Sequence, residues 1–268
     1  MLELAERIYF RLCLSLGKLL RSATYSKTRI VHHDGNLQVQ KCRVFYAPLL
    51  VWLGGPLVRM LDTGVRVLPQ QDWESRERGL YRTLHGSSIQ INADRSLVLP
   101  FLAGKTLAEL LEDPEIDEAA RKRAIELAVG ALVEFHQFGF THGDAMAENV
   151  MVDLDAGVAK WFDFETIHES SRPILWRRAD DVRALIATCV LRTEPQYVAR
   201  TLELILDDYA DAAVDSLVTE SFTSVWRRSL TFHLGQAPLS FQRSREVARL
   251  LNERPLASYT DSRAAARG

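Results

Sequence analysis

Short extended runs give way along this chain to helical spacing. Thr28–His33 and Leu37–Phe45 read as two strands joined by Asp34-Gly35-Asn36, a strong hairpin signal. From Asp72 to Leu84 the spacing is helical, with Trp73, Arg76, Glu77, Leu80, Tyr81 and Leu84 recurring at three- and four-residue intervals. Ser88–Leu99 reads as a second hairpin that turns at Asn92-Ala93-Asp94. Pro100–Gly104 is a connector, and Thr106 is placed to cap a short helix. A long helix follows over Ile116–Phe138, with Ile125, Leu127, Ala128, Ala131, Leu132 and Phe135 toward a core. Beyond residue 178 the pattern is helical throughout, in segments near 179–192, 195–209, 212–233 and 240–253. Strands first and helices later predict an α+β fold in two lobes, a small β-rich one and a larger helical one.

Two stretches depart from this order. Residues 1–26 carry Leu2, Leu4, Ile8, Leu12, Leu16 and Leu19 among Glu3, Glu6, Arg7, Arg11 and Lys18, the pattern of an amphipathic helix. Its early acidic residues argue against a signal peptide. Residues 44–61 are unusually apolar but broken by Pro48, Gly54-Gly55-Pro56 and Arg59, too interrupted for a membrane span. A buried helical insertion and a surface that meets lipid both fit, and the choice stays open. The expected organisation is an N-terminal helix over 1–26, a β-rich lobe over 27–101, a helical lobe over 102–255 and a polar tail over 256–268.

Between the long helix and the last helices lies THGDAMAENVMVDLDAGVAKWFDFE, residues 141–165. Asn149–Asp153, a turn around Asp155-Ala156-Gly157 and Val158–Phe162 read as strand, turn, strand. A hairpin of this size brings its ends together, so that Asn149 and Asp163 can share one hard cation such as Mg²⁺ through oxygen ligands. Taken singly, these residues are ordinary turn residues. Their spacing carries the signal: Asp144 follows His142-Gly143, Asn149 comes five positions later, and Asp163-Phe164-Glu165 begins fourteen beyond that.

This spacing resembles the protein-kinase-like superfamily, with its H-x-D-x-x-x-x-N loop and D-F-G metal motif, here altered to His142-Gly143-Asp144 and Asp163-Phe164-Glu165. The likeness is greatest to bacterial lipopolysaccharide (Kdo/heptose) core kinases and to aminoglycoside-phosphotransferase-like small-molecule kinases. It covers roughly residues 37 to 190. It implies a bilobal fold, ATP and Mg²⁺ as requirements, Asp144 as the catalytic aspartate, and Asn149 and Asp163 as metal ligands. Lys41, in Val39-Gln40-Lys41, matches the phosphate-binding lysine. Glu77 matches its helix partner, with Glu74 as the alternative glutamate and Arg59 as an alternative cation. Glu165 departs from the usual glycine and adds a carboxylate for a second metal or a substrate hydroxyl. Asp181, or else Asp180, matches the aspartate that holds the catalytic-loop backbone; His136 reads as a core histidine.

The acceptor implied is a hydroxyl of a sugar, either a small molecule or lipid-linked. Met146 replaces the lysine of Ser/Thr kinases, and the chain after Glu165 reaches Arg178 within thirteen positions, without a protein-substrate platform. No G-x-G-x-x-G precedes the first hairpin. A Ser/Thr protein kinase and an inactive pseudokinase scaffold are the alternative readings.

Composition narrows the setting more than the chemistry. The 268 residues are 47% hydrophobic and 25% charged, ordinary globular values, and the formal charge of −2 gives no reason to expect a nucleic-acid partner. Cys13, Cys42 and Cys189 form neither metal spacing nor a disulfide framework, which fits a reducing cytoplasm. Peripheral contact with the inner face of the cytoplasmic membrane is compatible with the two apolar stretches.

Overall fold

The computed structural model describes residues 26–33, 35–44, 64–223 and 239–254. Most of the N-terminal helix expected over 1–26, most of the apolar stretch including Arg59, residues 224–233 and the polar tail lie outside them. Within them the chain is α+β, as the order of its periodicities predicts, with a β-rich N-terminal part and a mainly helical C-terminal part.

Strands β1 (Ser26–His33) and β2 (Asn36–Arg43) form the first hairpin. They continue antiparallel into β5 (Leu97–Pro100) and then β4 (Gln90–Ile91), in the order β1-β2-β5-β4. In this register Lys41 lies between Thr28 of β1 and Leu97 of β5, at the centre of the sheet. Helix α1 (Gln70–His85) is two residues longer at its start and one at its end than its spacing predicts. It buries Trp73, Glu77, Leu80 and Tyr81, one face at four- and three-residue steps. It stops at Gly86, whose φ of 60° supplies the left-handed cap.

Thr106 ends the short strand β6 (Lys105–Thr106) and caps α2 (Leu107–Glu112) in a reciprocal capping box with Glu109. Asp117 caps α3 (Glu118–Gln137), accepting from the Ala120 N–H. Strands β7 (Val150–Asp153) and β8 (Val158–Trp161) form the expected central hairpin, and β6 pairs with β7. Helix α4 (Ile174–Arg192) buries every residue from Ala179 to Val190, which makes it the axis of the C-terminal part. It is packed by α2, α5 (Val198–Tyr209) and α6 (Ala212–Thr223), with α7 (Phe241–Glu253) against the last two. One continuous core joins both parts, from Leu68 and Trp73 through Phe135 and Phe164 to Leu251.

One pairing departs from strands first, helices later. β3 (Val65–Val67) pairs with β9 (Thr166–His168), about a hundred residues further along the chain. The ladder is extended at each end by Leu68 N–H to the Glu165 carbonyl and Glu169 N–H to the Gly64 carbonyl, both 2.8 Å. Three-residue strands have too few positions to show a period, so neither was expected. Among the described residues no helix is long and apolar enough to cross a membrane.

Gly104 marks the tightest approach of the backbone. It has φ of 104°, and a Cβ there would lie 2.2 Å from the Val152 carbonyl oxygen. Because the obstacle is strand backbone, Gly104→Ala is expected to destabilise the fold by about 2 kcal/mol or more in denaturant titration. An unchanged midpoint would show that β6 and β7 can part at no cost.

Candidate active site

The central hairpin brings its ends together: the Phe162 N–H donates to the Asn149 carbonyl at 3.0 Å, which sets Asp163 beside the Asn149 turn. Asn149 Nδ2 donates to both the Asp144 carbonyl (2.8 Å) and the Asp144 carboxylate (3.0 Å). Its amide nitrogen is thus committed, and its amide oxygen makes no hydrogen bond among the described residues.

Lys41 enters from β2. Its Nζ lies 2.5 Å from Asp163, 3.4 Å from Glu77 and 3.8 Å from Glu165, with the side chain only 5% exposed. Burial alone would lower the pKa of the ammonium, but Asp163, Glu77 and Glu165 reverse that and raise it. The glutamate on α1 that meets Lys41 is therefore Glu77. Glu74, the alternative, points elsewhere and forms a two-bond pair with Arg95, both contacts 2.9 Å. Glu77 is fully buried, and one oxygen accepts from Trp73 Nε1 (3.1 Å) and the Phe164 N–H (3.2 Å). Trp73 also places its ring 5.3 Å from Lys41 Nζ and 4.9 Å from the Arg43 guanidinium.

Asp163 has φ of 66°, a left-handed conformation that a non-glycine residue adopts at a cost. The salt bridge to Lys41 on one side and the Phe164 N–H bond to Glu77 on the other hold it there. Phe164 is buried and stacks on Phe135, 5.7 Å between centroids and 6° from parallel, so it is packing.

Carboxylates outnumber the cation beside them. Burial raises the pKa of Asp144, and Asp163 and Glu165 raise it further, against the lowering bond from Asn149. Glu165 is likewise raised by burial and Asp163, offset in part by Lys41 and Arg43. One Glu165 oxygen is buried without a hydrogen-bond partner. No group of three or more His, Cys, Asp or Glu among the described residues has the arrangement of a metal site. Even so, the surplus negative charge and the oxygen donors of Asp163 and Asn149 suit a hard divalent cation held partly by a substrate.

The loop before Asp144 is fixed from below. Asp181 accepts from the His142 and Gly143 N–H groups, both at 2.8 Å, and from the His136 ring at 3.0 Å. Burial would raise its pKa, but His168 and His136 bring it below the usual carboxylate range. His136 also meets the Tyr209 hydroxyl at 2.7 Å, a fully partnered core histidine. Asp180, the alternative to Asp181, instead meets His168 at 3.0 Å and pairs with Arg183. Gly143 has φ of 84°, and a Cβ there would be 3.1–3.2 Å from the backbone of Ile167 and His168. The glycine in His-Gly-Asp thus has a physical cause: β9 crosses there.

Several contributors gave weak signals in the sequence. Trp73 read as helical spacing and as the start of a W-x-x-R-E pattern, with no sign that its ring would meet Lys41. Arg76 donates to the Thr141 carbonyl at 2.7 Å, and His168 meets the Thr141 hydroxyl at 3.0 Å. The Arg76-Glu77 and Asp163-Phe164-Glu165-x-x-His168 patterns were visible, but nothing local showed that they meet at Thr141.

No protein-family model matches the chain, and no curated protein matches it. Among solved structures, that of an apo pseudokinase is similar at 15% identity, over 86% of this chain and 88% of that one, with a TM-score of 0.38. A likeness at that level adds nothing to what the elements themselves show.

His142 provides a test of the loop's electrostatics. Its Nε2 lies 3.0 Å from the Phe162 carbonyl and its Nδ1 is buried without a partner, so a second ring proton would have no acceptor. Burial accordingly pushes its pKa from 6.5 down to about 4. Between these values the unfolded chain holds a proton that the folded chain does not. The His142 contribution to stability is therefore complete above pH 6.5 and declines as pH falls toward 4. At pH 5 it should amount to a loss of roughly 2 kcal/mol. Ring ¹⁵N spectra of the folded protein should show His142 neutral at that pH, and a midpoint near its ordinary value would contradict this reading.

Proposed function

We propose that the chain is an ATP- and Mg²⁺-dependent phosphotransferase that moves a γ-phosphoryl group to a hydroxyl acceptor. The observation that carries this reading is the buried Lys41 ammonium held by Glu77 and Asp163, with the Asp144–Asn149 pair at the other end of the same hairpin. In this reading Lys41 moves from Asp163 to the nucleotide phosphates, while Glu77 keeps it from turning away. Asp163 and the Asn149 amide oxygen would hold the cation, which would supply charge neutralisation at the phosphates. Asp144 orients the acceptor hydroxyl and takes its proton as the hydroxyl oxygen bonds to the γ-phosphorus. The bond from that phosphorus to the β–γ bridging oxygen breaks, and ADP leaves.

The favoured acceptor is a sugar hydroxyl, free or lipid-linked, at the cytoplasmic face of a membrane. Only five residues, Glu169–Pro173, separate β9 from α4, and β9 itself is tied to β3. That leaves little chain to form a platform for an extended protein segment, which disfavours a Ser/Thr protein kinase. The scaffold reading draws on the lack of a G-x-G-x-x-G before the first hairpin.

Asp144 is the informative position to change. Removing Lys41 would strand buried Glu77 and cost about 3–5 kcal/mol of stability, confounding any loss of activity. Asp144→Asn should leave Mg-ATP binding, read as a thermal shift, close to wild type. It should also reduce phosphoryl transfer by about 10²–10⁴-fold. Asp163→Asn should remove the Mg²⁺ dependence of nucleotide binding. Incubation with γ-labelled ATP and whole-cell lipid, sugar and protein fractions identifies the acceptor class. Label confined to protein would defeat the sugar reading. Nucleotide binding with equally slow turnover in wild type and Asp144→Asn would favour the scaffold.

A further inference from the structure

The Thr141 carbonyl and the His142 N–H are the two ends of one peptide unit, and each is held by an opposite charge. Arg76 Nη2, from α1, donates to the Thr141 oxygen at 2.7 Å. Asp181, from α4, accepts from the His142 nitrogen at 2.8 Å. The peptide dipole thus lies with its negative end on a guanidinium and its positive end on a carboxylate. Both bonds are charge-assisted, and together they set the plane of a peptide three residues before Asp144.

The cation comes from a helix with another role in the site. Glu77, the next residue of α1, receives Lys41 and the Phe164 N–H. Two adjacent side chains therefore leave α1 toward two parts of the site: Glu77 toward the lysine and the Asp163-Phe164 segment, Arg76 toward the loop of Asp144. A longer connection runs in parallel. The Thr141 hydroxyl meets His168 of β9 at 3.0 Å, β9 pairs with β3, and β3 leads into α1.

We propose that Arg76 is a positioning residue that aligns the Asp144 loop with the Lys41–Glu77 pair by gripping the Thr141–His142 peptide against Asp181. The alignment is built into the resting fold, because the helix that orients the lysine also orients the loop. The kinetic part of this proposal rests on the phosphotransfer reading; its geometric part does not.

The test uses Arg76→Met in the full chain. The backbone ¹H–¹⁵N signal of His142 should move upfield and its exchange should quicken roughly tenfold, while the Phe164 amide, bonded to Glu77, stays in place. In phosphoryl transfer, kcat should fall roughly ten- to a hundredfold, with KM for Mg-ATP changed by less than about threefold. Arg76→Lys, which restores a charged donor on α1, should recover part of kcat relative to Arg76→Met. If wild type transfers no phosphate, the functional reading fails and the amide measurement alone decides the proposal. An unmoved His142 amide overturns it. Equal changes at His142 and Phe164, with kcat and KM altered together, overturn it as well, because Arg76 would then only hold α1 in place.

Discussion

Lys41 Nζ, buried among Glu77, Asp163 and Glu165, is the group around which the rest of the site is arranged. An ammonium removed from water is tolerated only with compensating charge, and here the compensation comes from two separate regions of the chain. Glu77 arrives on α1, Asp163 and Glu165 at the end of the central hairpin. The arrangement binds the sheet, the helix and the hairpin to one another. Burial first, and then the neighbouring Asp163 carboxylate, raise the pKa values of Asp144 and Glu165. In the proposed function, an incoming cation would offset the surplus of negative charge.

The backbone around this group is constrained from several directions. Asp163 holds a left-handed conformation, with its own side chain on Lys41 and the next N–H, of Phe164, on Glu77. Asp181 holds two successive N–H groups before Asp144, and Gly143 lets β9 pass without a collision. These restraints come from β2, from α1 and from the consecutive β9 and α4, segments spread from Asn36 to Arg192. Preorganisation of this kind lowers the cost of aligning reacting groups.

Local periodicity was enough to place the three hairpins, α1, α3 and the capped start of α2, because each has a full face or a turn signal of its own. Asp144, Asn149 and Asp163 could be nominated because their spacing is itself the signal, whereas Lys41 and Glu77 were nominated through the resemblance. What could not be read is what depends on distant partners. Val65–Val67 and Thr166–His168 are too short to show a period, and become strands only by meeting each other. The choice between Glu74 and Glu77 turned on Arg95, which takes Glu74 from twenty-one positions away. Asp180 and Asp181 are neighbours on α4, and only the paths of the His142 loop and of His168 assign each its partner.

The same long reach governs how the molecule can be made. Lys41 and Asp163 are separated by 122 positions along the chain. At ribosomal speeds of about 5–20 residues per second, the lysine waits roughly ten seconds for its shortest ion-pair partner. Val65–Val67 waits about as long for its strand. Until the central hairpin has emerged, Glu77 and Lys41 lack the carboxylate, the backbone donor and the apolar cover that make their burial tolerable. The β-rich region cannot mature as an autonomous unit ahead of the helical one; its interior charges are completed only when the later half of the chain closes over them.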